Sequence, residues 1–214
     1  MLVGDFLYSR AFQMMVEAND MRVMQTLADA TNVIAEGEVM QLMNMHDASL
    51  SEEAYLQVIR SKTAKLFEAS ARLGALLAGS PPDIEQACAD YGQALGTAFQ
   101  VIDDVLDYTG DRSEMGKNLG DDLREGKATL PLIVAMQRGT PEEAARVRHA
   151  IENGATAALD AIVAIVRRTG ALEAATEAAR AEAQRAADAA RRLSINEHAE
   201  ALLQLAAQLL ERRH

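Results

Sequence analysis

The sequence of 214 residues has a single cysteine, Cys88, and has few of the features that define several large classes of protein. One cysteine excludes an internal disulfide framework. No stretch approaches the roughly 18 uninterrupted apolar residues that a bilayer crossing needs, and residues 1–10 lack the basic head and small-residue cleavage site of a signal peptide. We therefore expect a cytoplasmic protein without a transmembrane segment.

Positive charge is also scarce. The sequence has 21 Lys and Arg residues against 32 Asp and Glu, a formal net charge of -11. Proteins that bind nucleic acid use surplus Lys and Arg to hold the phosphate backbone, so we expect no nucleic-acid partner. Hydrophobic residues make up 49% and charged residues 25%, which is the ordinary balance of a soluble globular protein.

Sustained strand-type alternation is missing, whereas apolar residues recur at spacings of three and four along most of the chain. This pattern predicts an all-α protein with eight or nine helices in one domain, residues 1–214. Residues 110–126 contain four glycines and eight charged residues, and we expect them to be the one long irregular segment. The predicted helices before it are 2–18, 21–45, a helix from a Ser49–Glu52 capping box to Gly79, and 83–108. Those after it are 128–137 and a series that begins at a Thr140–Glu143 capping box, with breaks at Gly154, Gly170 and Leu193.

The helix 83–108 carries a group of acidic residues on one side. At about 100° per residue, Gln100, Asp103, Asp104 and Asp107 fall within one arc. A solvated face is the usual explanation for such an arc, but residues 90–108 contain no Lys or Arg to pair with these like charges. The aspartates also lie near the C-terminal end, where the helix dipole disfavours negative charge. Mg²⁺ prefers such hard oxygen ligands together with phosphate oxygens, so the arc indicates a metal site.

The rest of this helix is expected to form both core and cleft. Its apolar stripe comprises Ile84, Cys88, Tyr91, Leu95, Ala98, Ile102 and Val105. Small residues continue along the acidic side at Ala89, Gly92 and Gly96, and we expect them to leave room for a ligand.

The preceding helix has a lysine in its apolar stripe, which comprises Tyr55, Ile59, Lys62, Leu66, Ala69, Leu73 and Leu76. Lys62 either extends to the surface along its own aliphatic stem or faces a cleft. In the second case Lys62 and Thr63 offer a cation and a hydroxyl to a bound anion, for which phosphate is the natural candidate. Lys117 and Lys127 lie on glycine-bearing turns after the acidic helix. Such a segment is commonly a charged surface loop, but together with the other two features it indicates one diphosphate-sized site.

These motifs resemble the trans-isoprenyl diphosphate synthase family. The residues FQVIDDVLD (99–107) resemble its second aspartate-rich motif, and four further blocks resemble its flanking motifs in the same order. They are GDFLYSRAF (4–12), AEGEVMQL (35–42), SKTAKLFEA (61–69) and GKNLGDDLREGKATLPL (116–132). Within the family, the motifs resemble those of bacterial octaprenyl diphosphate synthases, which make quinone side chains. The resemblance implies an isoprenoid-synthase-type helical bundle that forms homodimers.

The resemblance also implies roles for individual residues. Asp103, Asp104 and Asp107 hold Mg²⁺ on an allylic diphosphate, with Asp103 as the most direct ligand. Gln100, Lys62 and Thr63 border the leaving diphosphate, and Lys117 and Lys127 hold it from the loop; Lys62, Gln100 and Asp103 are thus the implied catalytic residues. The family mechanism ionises the allylic diphosphate, whose cation is then attacked by isopentenyl diphosphate before a proton is lost.

Two elements of the family pattern are not found in the sequence. They are the first aspartate-rich motif and a Gly-Gly-Lys-Arg-type isopentenyl diphosphate site, both of which precede the GDF block in the family. The implied fold is therefore truncated at its N-terminus, and we expect no elongation by residues 1–214 alone. The alternatives are a diphosphate-binding partner subunit without catalytic activity and a purely structural bundle. Squalene-type synthases share the fold, but the Lys-Thr and paired Gly-Lys blocks favour chain elongation.

Overall fold

The computed structural model describes residues 2–109, 120–154, 158–194 and 196–211, and within them it contains helices and no β-strand. The all-α prediction is confirmed. On the N-terminal side of residues 110–119, the elements are α1 (Leu2–Glu17), α2 (Met21–Met43), α3 (Glu52–Ile59), a π-helical turn (Arg60–Ala64), α4 (Lys65–Leu77) and α5 (Pro82–Thr109). On their C-terminal side, the elements are α6 (Asp121–Arg124), α7 (Leu130–Arg138), α8 (Pro141–Asn153), α9 (Leu159–Arg168), α10 (Ala171–Ala190) and α11 (Glu197–Leu209). None of the helices in these ranges combines the length and the apolar character that a membrane span requires.

Local side-chain chemistry explains where several helices begin. The predicted capping box at Thr140 is present, with Thr140 accepting from the Glu143 amide and Glu143 accepting from the Thr140 amide. The predicted box at Ser49 is wrong, because the Asp47 carboxylate accepts from both the amide and the hydroxyl of Ser49. Ser51 caps α3 instead, and its hydroxyl accepts from the Ala54 amide at 3.1 Å.

Helix α5 lies at the centre of the bundle, and its most extensive contacts are with α10 and α4. Five residues of its predicted apolar stripe, from Tyr91 to Val105, are buried, and residues on its other sides, such as Ala94 and Val101, are buried as well. The alanines of α10 allow this close approach, because Ala175, Ala179, Ala183 and Ala186 face the core without bulky side chains. The acidic end of α5 is thereby fixed at the inner wall of a cleft.

The expectation that Gly92 and Gly96 leave room for a ligand is wrong. A Cβ atom at Gly92 would lie 2.3 Å from the backbone oxygen of Phe67, and one at Gly96 would lie 2.7 Å from the Cα of Ala64. The α4 backbone and the end of the π turn therefore fill this space. The glycines serve the close packing of α4 against α5.

The predicted helix 49–79 forms one rod, in which α3 is followed without a break by the π turn Arg60–Ala64 and then by α4. Tyr55, Ile59, Ala69 and Leu76 of its predicted stripe are buried, but Leu66 is 51% exposed. The prediction for Leu66 is wrong because a π turn holds an extra residue and rotates the following helix relative to the preceding one. The rod ends at the C-terminus of α4, and Gly79, which follows it, lies in the left-handed region, as the sequence predicts for the helix end.

Helix α1 has an unusual surface, because none of its residues is buried. Leu2, Phe6, Leu7, Tyr8 and Phe12 are all exposed apolar or aromatic side chains. The rings of Tyr8 and Phe12 pack edge to face with their centroids 4.9 Å apart. The helix contacts α2 but has no apolar face covered by the described residues.

Candidate active site

A cavity of about 250 Å³ lies beside the C-terminal half of α5. Its walls come from α2, α3, the π turn, α5 and residues 122–129. The residues that the sequence singles out and that line this cavity are Lys62, Thr63, Gln100, Asp103, Asp104 and Lys127. Three sequence segments that are far apart in the chain thus meet at one cavity.

The π turn presents two consecutive residues, Lys62 and Thr63, to the cavity. The Lys62 ammonium is 2.8 Å from Oε2 of Glu38, which lies on α2. The Thr63 hydroxyl donates to Oε1 of Gln100 at 2.9 Å. The side chain of Lys62 therefore lines the cavity and is paired there with a carboxylate of α2.

Asp104 is a buried carboxyl group at the inner end of the cavity. The hydroxyl of Tyr55 donates to its Oδ2 at 2.6 Å, and Nε2 of Gln100 donates to its Oδ1 at 2.8 Å. Burial, followed by the negative charge of Asp122, raises the pKa of Asp104 to about 8, although the bonds from Tyr55 and Gln100 oppose this. A hydrogen-bonded chain thus runs from Thr63 through Gln100 and Asp104 to Tyr55.

Asp107 has a different environment from Asp104 and does not line the cavity. Its carboxylate accepts from the backbone amides of Asp121 and Asp122, each at 3.2 Å, at the start of α6. Burial and the charge of Asp122 raise the pKa of Asp107 to about 6, against the effect of these two bonds. Asp107 therefore ties α6 to α5.

Asp103 faces the cavity and is only partly buried. Within the described ranges it makes no hydrogen bond or ion pair, which sets it apart from Asp104 and Asp107. Among the described residues, Asp103 is therefore the member of the arc whose carboxylate faces the cavity without a hydrogen-bond partner.

Lys127 enters the cavity from the turn that follows α6. Its ammonium is 3.0 Å from Oδ1 of Asp122 and 2.7 Å from Oε2 of Glu125. Burial opposes its charge, but the hydrogen bonds and charges of Glu125 and Asp122 raise the pKa of Lys127 overall. Lys127 thus stays a cation. The other predicted loop residue, Lys117, lies outside the described residues.

The turn that carries Lys127 is fixed by glycine and histidine. The amides of Gly126 and Lys127 donate to Leu123 and Asp122, and Gly126 has a φ of +75°, which together form a Schellman motif. The backbone amide of His46 donates to the Gly126 oxygen at 2.8 Å, and the His46 ring packs so closely that a Cβ atom at Gly126 would lie 2.2 Å from its Nδ1.

Several residues of the site are not among those predicted from the sequence. Tyr55 is predicted only as part of an apolar stripe, but a buried tyrosine hydroxyl usually requires a partner, and this requirement is the signal that points to a polar site. Glu38 and Asp122 carry no sequence signal of their own, because their roles depend on lysines that lie elsewhere in the chain. His46 has no sequence signal of its own either, and what sets it apart is its positive φ of 63° in the structure.

The side chains of the site can be compared with the ligands that a metal ion requires. No three acidic, histidine or cysteine side chains within the described ranges converge closely enough to hold an ion by themselves. Mg²⁺ is usually bound through one or two carboxylates together with substrate phosphates and water, so a preformed cage is not required. The open Asp103 carboxylate beside two lysines fits this form of binding.

Comparison with known proteins gives a consistent result. The Polyprenyl synthetase family model matches residues 1–167. Octaprenyl diphosphate synthase of Escherichia coli (strain K12) is 50% identical over 206 residues, which are 96% of this chain and 64% of the relative. This chain therefore spans less than two thirds of that relative's length.

Two solved structures extend the comparison. A polyprenyl synthase from Caulobacter crescentus CB15, complexed with calcium and isoprenyl diphosphate, has a TM-score of 0.93 and 46% identity. The match covers 100% of this chain and 66% of that one. A decaprenyl diphosphate synthase from Rhodobacter capsulatus has a TM-score of 0.90 and 43% identity, with the same coverage of 100% and 66%. These similarities confirm the resemblance drawn from the motifs, and the chain belongs to the polyprenyl synthetase family.

Proposed function

We propose that the chain forms the diphosphate-binding part of a trans-prenyltransferase. The enzyme would elongate an allylic diphosphate, such as farnesyl diphosphate, with isopentenyl diphosphate to give a long-chain polyprenyl diphosphate for quinone side chains. The observation that supports this proposal is the cavity in which Lys62, Lys127 and the open carboxylate of Asp103 surround a diphosphate-sized space.

The charges around the cavity indicate why a metal ion is needed. The lining includes two lysines and three aspartates, and each lysine already pairs with a carboxylate. A diphosphate with several negative charges would therefore meet an environment that has no excess of positive charge. The family is a class that uses a divalent metal ion, and we propose Mg²⁺ with Asp103 as its most direct protein ligand. When bound, Mg²⁺ would supply electrostatic stabilisation of the departing pyrophosphate.

The protein groups have separate roles in this proposal. Lys62 and Lys127 exchange their carboxylate partners for diphosphate oxygens and neutralise charge on the leaving group. Thr63 and Gln100 border the diphosphate, and the Tyr55–Asp104 hydrogen bond fixes the orientation of Gln100. The metal-binding roles of Asp104 and Asp107 that the resemblance implies remain predictions, as does the role of Lys117.

The wider context of the enzyme is also part of the proposal. We propose that the chain acts as a homodimer in the cytoplasm and that residues 1–214 form one helical domain. The exposed apolar side chains of α1 support the first point, and the central position of α5 between α4 and α10 supports the domain assignment. The alternative of a partner subunit without catalytic activity is not favoured, because the similar proteins are named as synthases.

The proposal can be tested with a chimera in which this chain replaces the matched segment of the Escherichia coli octaprenyl diphosphate synthase. We expect the chimera to incorporate labelled isopentenyl diphosphate into products longer than farnesyl diphosphate, and to require Mg²⁺. Asp103→Asn in the chimera should abolish most of this incorporation, whereas Gly74→Ala, at an open position on α4, should not change it.

The outcomes separate the proposed enzyme from its alternative. A folded chimera that binds inorganic pyrophosphate with Mg²⁺ but gives no elongation would support the partner-subunit function and overturn this proposal. Full activity of the Asp103→Asn chimera would show that the acidic arc is not the site. The isolated chain serves as a further arm, for which the sequence predicts no turnover.

A further inference from the structure

The π turn Arg60–Ala64 is the element that presents Lys62 and Thr63 to the cavity. π turns inside α-helices are rare and occur frequently at functional sites, since the extra residue redirects the side chains of the bulge. Nothing in the local sequence RSKTA demands such a turn, because it contains neither proline nor glycine. The cause must therefore be sought in the helices that pack against it.

Helix α2 approaches the π turn through Gly37, which is buried. A Cβ atom at Gly37 would lie 2.6 Å from the backbone nitrogen of Lys62, 2.9 Å from its Cα and 2.9 Å from the carbonyl carbon of Ser61. All three atoms belong to the backbone, so no side chain could move aside to make room. The absence of a side chain at Gly37 thus sets how closely α2 and the π turn can pack.

The opposite side of the turn is equally constrained. A Cβ atom at Gly96 of α5 would lie 2.7 Å from the Cα of Ala64 and 3.0 Å from two atoms of the Phe67 side chain. Ser61 and Ala64, which flank Lys62 and Thr63, are both buried. The turn is therefore held between two glycine-bearing helix surfaces, and it cannot move away from one without meeting the other.

We propose that Gly37 is a positioning residue for the diphosphate site, because its contact with the π-turn backbone sets where Lys62 and Thr63 enter the cavity. This inference rests on the proposed function of Lys62. The neighbouring Glu38 pairs with the Lys62 ammonium at 2.8 Å, so α2 contacts this residue at both its backbone and its side chain. A methyl group at Gly37 would displace the backbone of Lys62 while leaving its charge unchanged.

The test measures the affinity of the full chain for inorganic pyrophosphate by calorimetry in excess Mg²⁺. We expect Gly37→Ala and Lys62→Ala each to weaken binding about tenfold or more. Lys62→Ala removes a charge-assisted hydrogen bond, and Gly37→Ala disturbs the geometry of the site. Gly74→Ala is the matched control, because a Cβ atom there meets no atom within 4 Å. It should bind pyrophosphate as the parent chain does.

A double-mutant cycle separates positioning from general destabilisation. If Gly37 acts through Lys62, then Gly37→Ala should change the affinity by less than about twofold when Lys62 is already alanine. A tenfold loss in both backgrounds would assign Gly37 a structural role independent of Lys62 and overturn the inference. Binding by Gly37→Ala as tight as that of the parent would do the same.

Two further outcomes are distinguishable. Loss of the circular dichroism signal in Gly37→Ala moves the test to Gly96→Ala, which should displace the turn from its other side. If neither variant folds, the turn is required for folding and the positioning role is overturned. By contrast, equal binding by the parent and Lys62→Ala, or no binding by the parent, would contradict the proposed function itself.

Discussion

Replacing Tyr55 by phenylalanine tests the buried hydrogen-bonded chain of the site with a single-atom change. Tyr55 is 4% exposed, and its hydroxyl donates to Asp104 at 2.6 Å. Because burial raises the pKa of Asp104 from 3.8 to about 8, the stability contributed by this group is greatest below pH 4 and is lost as the pH rises through about 8. The Tyr55 hydroxyl opposes this loss, since it favours the ionised carboxylate.

The magnitude follows from the charge of the acceptor. At pH 6, where Asp104 is protonated, Tyr55→Phe removes a hydrogen bond between neutral groups, worth about 1 kcal/mol. At pH 9 the acceptor is a carboxylate, and the variant raises its pKa further. One pKa unit corresponds to about 1.4 kcal/mol, so the loss in the free energy of unfolding should grow to about 2 kcal/mol.

Urea unfolding followed by circular dichroism, with a chelator present, measures this difference at both pH values. Tyr91→Phe is the matched control, because the Tyr91 hydroxyl donates to the backbone oxygen of Leu202, a neutral acceptor, at 3.0 Å. Its loss should be about 1 kcal/mol at each pH. An equal loss for Tyr55→Phe at pH 6 and pH 9 would refute the reasoning that Asp104 is the ionising partner.

Three further predictions concern the acidic arc, the turn that carries Lys127 and the dimer. Asp103→Ala and Asp107→Ala should each weaken the binding of Mg²⁺–pyrophosphate, as measured by calorimetry. The first variant removes a metal ligand, and the second displaces α6. Unchanged affinity in both would restore the interpretation of the arc as a solvated face. Gly126→Ala should lower the free energy of unfolding by about 1–3 kcal/mol, because the φ of Gly126 is +75° and an added methyl group would meet the His46 ring. A midpoint of urea unfolding equal to that of the parent would contradict this prediction. Sedimentation should show a dimer at micromolar concentration that Phe6→Glu shifts towards monomer, and a parent chain that sediments as a monomer would disprove the expected interface.

The parts of the site that could be predicted from sequence are those that depend on periodicity. The spacing of Asp103, Asp104 and Asp107 places them on one side of any α-helix, whatever surrounds it. The position of Lys62 in an apolar stripe marks it as exceptional, although the stripe alone leaves open whether the side chain extends to the surface or faces a cleft. The spacing does not predict how the three carboxyl groups differ from one another. That difference arises from contacts with Tyr55, which is distant in sequence, and with the first residues of α6.

The errors in the fold prediction have a related cause. An ideal helix from Ser49 to Gly79 would bury Leu66, but the π turn shifts the register, and the space for this turn depends on Gly37 and Gly96 in two other helices. From sequence alone, Gly96 is expected to leave room for a ligand, because a glycine in one helix does not show whether a substrate or a neighbouring backbone fills the space. That choice is made by tertiary packing.

The two described lysines of the site are positioned by different means that give the same electrostatic result. Lys62 lies on a turn wedged between helices and pairs with Glu38, whereas Lys127 follows a Schellman turn and pairs with Asp122 and Glu125. An incoming anion must therefore compete with carboxylates that are already within hydrogen-bonding distance. A singly charged anion offers no advantage over these partners, whereas a diphosphate that shares a metal ion with Asp103 offers each lysine a more highly charged acceptor. We therefore expect the proposed site to prefer metal-bound diphosphate to simpler anions, and we expect this selectivity to depend on the acidic residues as much as on the basic ones.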